Sequence, residues 1–458
     1  MQHYDAIVIG TGQAGPSLAV RLAKAGKKTA IIERDRFGGT CINTGCIPTK
    51  TLVASARVAH LARRAATYGV VIDGSVKVDM AGVKARKDYV VNQSSENLLK
   101  WLKNTPNLTV IHGHARFEGP HTVQVNGEIL EADQIFINVG ARALIPDIPG
   151  LAEVDYLTNS SMMEVDFLPR HLVIIGGSYI GLEFAQMYRR FGSEITVVEA
   201  GPRLIAREDQ EVSEAIQTIL KGDGVRAMVN ARTERVAKRG NDIAVSVNVS
   251  NKSQELICSH LLIAVGRKPN TDDLGLDKAG VKTGKNGYIE VDDQLRTGVP
   301  GVWALGEVNG RGAFTHTSYN DYEIVAANLL DHEPRKVTDR ILAYALYTDP
   351  PLGRAGMTEH EVRESGRKAL SGKVMMTRVH RARARGETEG FMSVLVDAET
   401  QKILGATILG IEGDEVVHSV LDVMYAGAPY TTLRRAVHIH PTVAEFVPVM
   451  LGDLKPLE

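Results

Sequence analysis

The sequence predicts an α/β protein in which one βαβ unit occurs twice and is followed by a smaller α+β domain. Residues 5–35 and 171–201 each run from an apolar strand through a glycine turn into a helix whose apolar residues recur every three or four positions. Each segment then closes with a second apolar strand that ends in a glutamate. After about residue 338 the pattern changes, because strand-like segments there come before helices near 413–427 and 430–437. These three observations predict two similar α/β units and a C-terminal unit of a different kind.

Length, charge and cysteine content restrict the class of protein. A chain of 458 residues is too long for one core and is expected to form several domains. Its 53 Lys and Arg residues nearly balance 54 Asp and Glu residues, which argues against a nucleic-acid or anionic-membrane partner. No apolar run reaches the roughly 18 residues of a membrane helix, and the first residues form a strand pattern rather than a signal peptide. Three cysteines are too few for a disulfide-stapled secreted fold, so we expect a cytoplasmic protein.

The first glycine turn has the spacing of a Rossmann-like, dinucleotide-binding fingerprint. Gly10 allows a tight turn, Gly12 lets the backbone approach a pyrophosphate, and Gly15 lets the helix pack closely on the strand. The following helix directs N–H groups and the positive end of its dipole at the phosphates. Glu33 lies about twenty residues further on, where a carboxylate accepts the ribose hydroxyls. Strand, helix and distal acid together predict a dinucleotide site, whereas the glycines alone would also fit a structural turn.

The second unit repeats this fingerprint with one departure. Gly176 and Gly181 occupy the outer positions, and Ser178 replaces the middle glycine, so the phosphates are expected to approach slightly less closely. Glu199 closes the second strand and favours an unphosphorylated ribose, because a carboxylate repels a 2′-phosphate. Two arginines follow within eight residues and could offset this repulsion. We therefore expect NADH, with NADPH possible.

The stretch between the two units contains a predicted domain boundary. Residues 59–104 have the composition of a mostly polar helix, and residues 107–139 alternate as strands do. A Pro/Gly cluster follows at residues 145–150, which is typical of a boundary between domains.

Two cysteines, Cys41 and Cys46, lie in the segment GGTCINTGCIPTK at residues 38–50. In a regular helix, Cα atoms five residues apart are about 8.7 Å apart, whereas a disulfide requires roughly 4.4–6.8 Å. A bridge therefore needs a distorted turn, which Gly45 and Pro48 allow, and a bridge near a helix start would be easily reduced. We favour a redox-active disulfide. A zinc site lacks further ligands, because the third cysteine is remote, and two inert thiols are the other alternative.

A thiolate that exchanges with a substrate needs an acid/base group, and the segment HIHPTVAEF at residues 438–446 offers one. His440 is followed by Pro441, which we expect in the first turn of a helix, and by Glu445, which can orient the imidazole. His438 is more simply a structural or rim residue.

Six segments resemble, in family order, the dimeric flavoprotein pyridine-nucleotide disulfide oxidoreductases: GGTCINTGCIPTK, GGSYIGLE, AVGRKPNT, ALGEVNG, TDPPLGRAGMTE and HIHPTVAE. This family includes dihydrolipoamide dehydrogenase, glutathione reductase, mercuric reductase and a reactive-chlorine resistance flavoprotein. The resemblance spans nearly the whole chain. It implies that the first fingerprint binds FAD, that the second binds NAD(P)H, and that a C-terminal α+β domain forms a homodimer.

The resemblance also implies a division of the chain. The FAD-binding domain would comprise 1–148 and, as a second central part, 271–335. The NAD(P)-binding domain would lie at 149–270, and the dimerisation domain at 336–458.

The resemblance assigns roles around the flavin. Lys50 and Glu183 would form an ion pair beside its reactive nitrogen, and Tyr179 would cover its ring until nicotinamide displaces it. Cys46 would face the flavin as the charge-transfer thiol, while Cys41 would exchange with a small-molecule substrate.

Further contacts follow from the same resemblance. His440, with Glu445, would act from the other subunit, so that the active site is shared within the dimer. Additional FAD contacts would come from Thr40, Ala115, Ala313, Phe314, Thr315 and His316. The NAD(P)H site would be lined by Glu199, Val236 and Gly266. Glu307 departs from the usual aspartate of the ALGEV position, so we expect its contact with the ribityl chain to be shifted.

The substrate is less well defined by the sequence. GGTCINTGCIPTKTLV looks closest to the mercuric-reductase-like and chlorine-resistance branch, yet the C-terminus lacks that enzyme's cysteine pair and His440 stands where a tyrosine is usual. A disulfide, thiol-bound or soft-metal acceptor is expected, with dihydrolipoamide dehydrogenase as the alternative enzyme. A redox-gated binding flavoprotein with little turnover is the alternative of another class. The arginine-rich residues 378–387 could bind an anionic substrate but more simply form a solvated strand edge.

Overall fold

The computed structural model describes residues 2–457, and its first part is a parallel sheet extended by antiparallel strands. The strands are Gln2–Ile9 (β1), Thr29–Glu33 (β2), Leu108–His112 (β3), Arg116–Gly119 (β4), Thr122–Val125 (β5), Glu128–Ile137 (β6) and Ala141–Ala143 (β7). The helices are Ala14–Lys24 (α1), Gly39–Asn43 (α2), Cys46–Arg63 (α3) and Met80–Lys103 (α4). The sheet order is β3-β2-β1-β6-β5-β4, with β1 parallel to both β2 and β6. The first glycine turn therefore lies at the carboxyl end of a central strand.

The glycines of this turn are required by close contacts. Gly10 has a φ of +101°, and a Cβ there would lie 2.4 Å from the carbonyl oxygen of Asn138. A Cβ on Gly15 would lie 2.3 Å from the carbonyl oxygen of Gly10, so the helix can approach the strand only without a side chain.

The predicted polar helix over 59–104 is wrong in its middle. Helices α3 and α4 are separated by residues 64–79, which form a short 3-10 turn and an irregular segment. Gly69 and Gly74 lie there with φ values of +74° and +84°, a left-handed conformation that ends a helix. Composition alone did not show this break.

The second unit begins a new sheet. Its strands are His171–Ile175 (β8), Glu194–Val198 (β9), Arg226–Met228 (β10), Ala231–Arg239 (β11), Asp242–Val249 (β12), Lys252–Cys258 (β13) and His260–Ile263 (β14). Its helices are Tyr179–Phe191 (α5) and Gln210–Gly222 (α6). A parallel sheet has the order β10-β9-β8-β14, and β11-β12-β13 form a separate antiparallel sheet. The second glycine turn thus has the same position as the first, between a central strand and its helix.

The chain then returns to the first unit. This part contains Arg267–Pro269 (β15), Leu276–Ala279 (α7), Val302–Ala304 (β16) and Thr315–Ala326 (α8). Strand β16 pairs in parallel with β6 as the seventh strand of the first sheet, and β15 pairs with β7. The return places the start of α8 beside the cysteine segment.

The C-terminal unit is an antiparallel sheet with helices, as predicted. It contains Ala343–Leu346 (β17), Leu352–Gly356 (β18), Glu359–Glu364 (α9), Ala369–Met375 (β19), His380–Ala384 (α10), Phe391–Asp397 (β20), Ile403–Leu409 (β21), Gly413–Tyr425 (α11), Thr431–Arg434 (α12), Phe446–Met450 (α13) and Lys455–Pro456 (β22). The sheet order is β17-β18-β21-β20-β19-β22. The fold class predicted from the sequence, two α/β units and a C-terminal α+β unit, is confirmed.

The predicted strand edge at residues 378–387 is wrong. Most of this segment forms the short helix α10, which follows a 3-10 turn at Met376–Arg378. Ala382 is completely buried, while Arg381 and Arg383 on either side are exposed. The Arg/Ala alternation therefore reflects one buried small residue on a helix and not the two faces of a strand.

One apolar cluster joins the three parts of the chain. Leu52 of α3 packs in the same cluster as Phe184 and Met187 of α5 and Leu352 of β18. This shared core fixes α3, which begins at a cysteine, against α5, which follows the second fingerprint. Among residues 2–457, no helix has both the length and the apolarity needed to cross a bilayer.

Candidate active site

The two cysteines of the predicted redox pair lie on either side of one sharp turn. Cys41 belongs to α2, Cys46 is the first residue of α3, and Gly45 between them has φ −130° and ψ −114°. A Cβ on Gly45 would lie 2.9 Å from the carbonyl oxygen of Thr40, so the turn needs a glycine there. Both cysteines are free thiols, and the predicted disulfide is not formed in this structure. The two side chains are nevertheless close enough for each thiol to shift the pKa of the other, which is the proximity that a dithiol needs.

The two thiols have opposite acidities. The hydrogen bond from Cys41, the hydroxyl of Thr315 and the positive charge of Lys50 together lower the pKa of Cys46 to about 6, although burial acts against them. The Sγ of Cys46 lies 3.0 Å from the Oγ1 of Thr315 at the start of α8. The same contact with Cys46, together with burial, raises the pKa of Cys41. The reduced pair therefore holds a thiolate at Cys46 and a proton at Cys41.

An ion pair lies one helical turn beyond Cys46. The Nζ of Lys50 donates to both carboxylate oxygens of Glu183 on α5, at 3.1 and 2.8 Å. The backbone N–H of Tyr347 also donates to Glu183 at 3.0 Å, and the Lys50 ammonium lies 4.5 Å from the centre of the Tyr347 ring. The Glu183 side chain is only 5% exposed, and three separate parts of the chain hold the pair in place.

Aromatic rings line the space next to this pair. Tyr179, the first residue of α5, lies with its ring 5.7 Å from that of Phe314. Phe314 also stacks on His316 at 5.5 Å and on Tyr344 at 5.4 Å. Burial, followed by the negative charge of Glu307, raises the pKa of Tyr179, so its hydroxyl stays protonated. These rings form an aromatic wall of the kind against which a planar heterocycle can pack.

The first fingerprint has the features of a pyrophosphate site. The N–H groups of Gly12 and Gln13 have no hydrogen-bond partner within residues 2–457, and no acidic residue lies in the first turn of α1. Glu33 accepts from the N–H and the hydroxyl of Thr11, at 2.9 and 2.5 Å, and is buried. Asn138 holds the helix start, since its Oδ1 accepts from the N–H of Gly15 at 2.9 Å. The residues therefore fit the phosphates of a dinucleotide, with Glu33 oriented at the adjacent strand end.

The second fingerprint has the same arrangement. The N–H groups of Ser178 and Tyr179 are unpaired within the described chain, and α5 also has no acid in its first turn. Glu199 accepts from the N–H groups of Gly177 and Gly201, both at 2.7 Å. This bonding fixes the carboxylate at the end of β9.

The two arginines beyond Glu199 differ in their bonding. Arg203 donates to the carbonyl oxygens of Ala206 and Glu208, at 3.0 and 3.1 Å. Arg207 is exposed, and its side chain has no hydrogen bond or ion pair within residues 2–457. Only the second of the two is therefore available to a phosphate without breaking existing bonds.

Glu307, which the resemblance places near the ribityl chain, forms an ion pair with an arginine. Its two carboxylate oxygens accept from the Nε of Arg267 at 2.7 and 2.9 Å, and the side chains are 16% and 10% exposed. Arg267 also donates to the carbonyl oxygen of Ala141 at 2.5 Å. The longer side chain of Glu307 thus supports an interior ion pair, and this pair lies close enough to affect the pKa of Tyr179.

The C-terminal acid/base pair forms as the sequence predicts. The Nδ1 of His440 lies 2.9 Å from Glu445, whose second oxygen is buried without a hydrogen-bond partner within residues 2–457. The His440 side chain is 67% exposed and has no hydrogen bond or ring contact with Cys41 or Cys46. The prediction that Pro441 lies in the first turn of a helix is wrong. Pro441 lies in an irregular segment before α13, and its peptide bond with His440 is cis.

Similarity to known proteins agrees with this geometry. Residues 4–321 match the family described as pyridine nucleotide-disulphide oxidoreductase, and residues 342–450 match its dimerisation domain. The chain belongs to the pyridine nucleotide-disulphide oxidoreductase family. Members of this family are flavoprotein enzymes, which implies FAD and a pyridine nucleotide as cofactors, and the dimerisation domain indicates a homodimer.

Several relatives within this oxidoreductase family cover almost the whole chain. The probable pyridine nucleotide-disulfide oxidoreductase RclA of Escherichia coli is 38% identical over 97% of this chain and 98% of its own length. Mercuric reductase of Bacillus cereus is 33% identical over 96% of this chain and 70% of its own length, and dihydrolipoyl dehydrogenase of Thermus scotoductus is 32% identical over 97% and 96%. The solved structure of E. coli RclA, an HOCl-induced flavoprotein disulfide reductase, superposes with a TM-score of 0.90 at 37% identity, covering 98% of this chain and 99% of that one.

The other residues that the resemblance assigns to cofactor contacts have no direct hydrogen bond with the cysteines within residues 2–457. Ala115 is buried just before β4, Ala313 is exposed just before α8, and Thr40 lies in α2. Val236 of β11 is buried and donates its N–H to Pro149, while Gly266 has a φ of +142° just before β15. No cluster of three metal-ligating side chains exists within the described residues.

Sequence reasoning missed four residues of the oxidoreductase site. Asn138, Arg267, Tyr347 and Thr11 each bind a predicted site residue through a contact that spans between 22 and 164 positions in the chain. Thr11 lies within the first glycine fingerprint and Arg267 within AVGRKPNT, one of the segments that carry the resemblance, whereas no sequence pattern indicated Asn138 or Tyr347.

Proposed function

We propose that this protein is an FAD-dependent NAD(P)H oxidoreductase that reduces a redox-active Cys41–Cys46 disulfide and passes the electrons to a disulfide, thiol-bound or soft-metal acceptor. The observation that carries this proposal is the thiol pair itself, with a thiolate favoured at Cys46 and a proton on Cys41. Two inert thiols would not require such asymmetry, and a zinc site has no further ligands among the described residues. The overall reaction with a disulfide balances as NADH + H⁺ + RSSR → NAD⁺ + 2 RSH.

FAD, when bound, supplies two-electron transfer between a nicotinamide and a disulfide. The chain's own residues prepare the sulfur end of this transfer. Thr315 and Lys50 stabilise the negative charge on Cys46, so the thiolate forms near neutral pH. Glu183 fixes Lys50 in place from α5. We propose that Tyr179, on the same helix, covers the flavin ring until nicotinamide displaces it.

Cys41 is the sulfur that we assign to the substrate. Once deprotonated, its thiolate attacks one sulfur of the acceptor disulfide and forms a mixed disulfide, and the leaving thiolate takes a proton. Cys46 then attacks Cys41, which releases the second thiol and restores the internal disulfide. His440, oriented by Glu445, is the group that we propose moves these protons.

We propose a homodimer in which His440 of one chain serves the cysteines of the other. The His440 side chain is 67% exposed and does not contact the cysteines of its own chain. It lies in the segment that matches the family's dimerisation domain, residues 342–450, which supports a role across the dimer. We propose the same division as the sequence predicts, with FAD bound by 1–148 and 271–335, NAD(P)H by 149–270, and the dimer formed by 336–458.

NADH is the proposed electron donor. Glu199 is held by two N–H groups at the ribose position, so a 2′-phosphate would approach a fixed carboxylate. Arg203 is engaged with backbone carbonyls, which leaves only Arg207 to compensate, and NADPH is therefore expected to bind more weakly.

The acceptor class is supported by the same residues and by the relatives. His440 favours a thiol or disulfide acceptor, because the leaving thiolate must be protonated. Relatives named mercuric reductase, and a solved Cu(II) complex of RclA, support soft or thiophilic metal ions as further acceptors. Relatives named dihydrolipoyl dehydrogenase make lipoamide the alternative.

Steady-state NADH oxidation with a panel of acceptors tests this proposal. The panel contains oxidised glutathione, lipoamide, Hg(II), Cu(II) and a quinone, each with the wild-type protein, Cys41→Ser and Cys46→Ser. We expect both variants to lose disulfide reduction while quinone reduction by the flavin survives. Full disulfide turnover by Cys46→Ser would contradict the relay, rapid turnover of lipoamide alone would identify a dihydrolipoamide dehydrogenase, and turnover of no acceptor would favour a redox-gated binding protein.

A further inference from the structure

Two segments of the C-terminal unit meet at the acid/base pair. The ring of His380, at the start of α10, lies 5.7 Å from the ring of His440 at an interplanar angle of 71°. The His380 ring also lies 5.8 Å from that of Phe446, the first residue of α13. The segment before and within α10 is therefore in direct contact with the imidazole that we propose moves protons.

Both segments are rich in arginine and contain no acidic residue. Residues 376–386 read MTRVHRARARG, and residues 430–440 read YTTLRRAVHIH. We call their five exposed arginines the arginine rim: Arg378, Arg381, Arg383, Arg434 and Arg435. None of their side chains has a hydrogen bond or an ion pair within residues 2–457, whereas the next arginine, Arg385, is bound by Glu412 at 2.7 Å. Of the six arginines in these two segments, five therefore have no carboxylate partner within residues 2–457.

Two carboxylates that flank these segments are bound by other side chains, whereas Glu389 is exposed and has no ion pair within residues 2–457. Glu445 is held by His440 at 2.9 Å, and Glu387 is 10% exposed and binds Arg57 at 2.8 and 3.0 Å. The formal net charge of the whole chain is −1, so the rim does not reflect a generally basic protein. Five unpaired cations on two segments that meet at the His380–His440 contact therefore give this region an excess of positive charge.

We propose that the arginine rim recognises carboxylate groups of the acceptor, so that the preferred substrate is a small anionic disulfide. This inference rests on the proposed function, because it names the substrate class of the same site. Guanidinium groups bind carboxylates through paired N–H donors, and a positive surface raises the encounter rate with anions. The contact between His380 and His440 places this recognition next to the proton-transfer step.

Two disulfides of different charge test the inference. The first is 5,5′-dithiobis(2-nitrobenzoate), which carries two carboxylates, and the second is bis(2-hydroxyethyl) disulfide, which is neutral. We would compare kcat and KM for both with the dimeric, FAD-loaded wild type, Arg381→Glu and Arg434→Glu at low and high salt. Lys100→Glu is the control, because Lys100 is exposed on α4, unpaired within residues 2–457, and undergoes the same change of charge.

We expect each rim variant to lower kcat/KM for the anionic disulfide about tenfold at low salt, through KM, and to leave the neutral disulfide and the melting temperature unchanged. Arg381→Gln, which removes the charge without reversing it, should give a smaller loss in the same direction. Added salt should reduce the wild type's preference for the anion, since screening weakens exposed charges.

Three results would overturn the inference. Equal loss for both disulfides, or no loss for either, would show that the rim does not select charge. Dissociation of the dimer in the rim variants, measured by light scattering, would show that the arginines bind carboxylates of a second chain. A wild type that reduces quinone but neither disulfide would refute the proposed function as well, which distinguishes the two failures.

Discussion

Replacing Thr315 with valine isolates one interaction that stabilises the Cys46 thiolate. The hydroxyl lies 3.0 Å from the sulfur, and valine keeps the shape while removing the hydrogen bond. A hydrogen bond to a charged group contributes about 1.5–3 kcal/mol, and about 1.4 kcal/mol corresponds to one pKa unit. Since the contact lowers the pKa, its loss should raise the pKa of Cys46 from about 6 by about one to two units, with the contributions of Cys41 and Lys50 retained.

This shift is large enough to measure at one pH. With a pKa of about 6, about three quarters of Cys46 is thiolate at pH 6.5. With a pKa of about 7.5, the fraction falls to about one tenth. The assay is the initial rate of alkylation by iodoacetamide in the reduced, oxygen-free protein between pH 5 and 9, with the labelled cysteine assigned by fragment-ion mass spectrometry. The alkylation rate of Cys46 at pH 6.5 should fall about eightfold in Thr315→Val.

Thr51→Val is the matched control for this experiment. Thr51 lies in α3, the helix that begins at Cys46, and its hydroxyl donates to the carbonyl oxygen of Ile47 at 2.8 Å. The substitution makes the same chemical change without touching a sulfur, so the alkylation midpoint should not move. An unchanged midpoint in Thr315→Val, or an equal shift in both variants, would refute the assigned role of the hydroxyl.

Three further outcomes are expected. Lys50→Met should lower the free energy of unfolding by about 2–3 kcal/mol, which is less than the usual cost of breaking a buried ion pair because Lys50 is one-third exposed. Glu183→Gln should lower it by a smaller amount, because glutamine keeps a hydrogen-bond acceptor for Lys50. Urea titration of both variants measures the two changes. Glu307→Asp should lower stability by about 1–2 kcal/mol, since the shorter carboxylate leaves Arg267 underbonded, and a melting temperature equal to that of the wild type would argue against this pair. Glu445→Gln should reduce kcat for disulfides about tenfold or more but spare quinone reduction, and an equal loss of both would point to misfolding.

Local patterns in the sequence were sufficient for the elements that carry the site. The two glycine fingerprints placed α1 and α5 correctly, because a positive φ at Gly10 and close approaches at Gly15 and Gly181 leave few other geometries. The spacing of His440 and Glu445 likewise gave the observed hydrogen bond, since both lie in one short segment. Such features depend on neighbouring residues, and the sequence records them directly.

Contacts between remote segments could not be predicted in the same way. The ion pair between Glu307 and Arg267 on β15, forty positions earlier, was not predicted. Tyr347 supports Glu183 through its backbone N–H, which no side-chain pattern can show. The polar composition of 59–104 suggested one helix, although two left-handed glycines divide it. In each case the deciding interaction arises from the packing of parts that the sequence places far apart.

The opposite pKa shifts of the two thiols determine what else the site needs. The hydrogen bond that lowers the pKa of Cys46 also raises that of Cys41, so the reduced pair keeps its remaining proton on Cys41. A protonated Cys41 cannot attack a disulfide until a base removes that proton. His440 with Glu445 is suited to this step, yet its ring does not reach either cysteine within residues 2–457. The homodimer that we propose would supply this base to the thiols from the second chain.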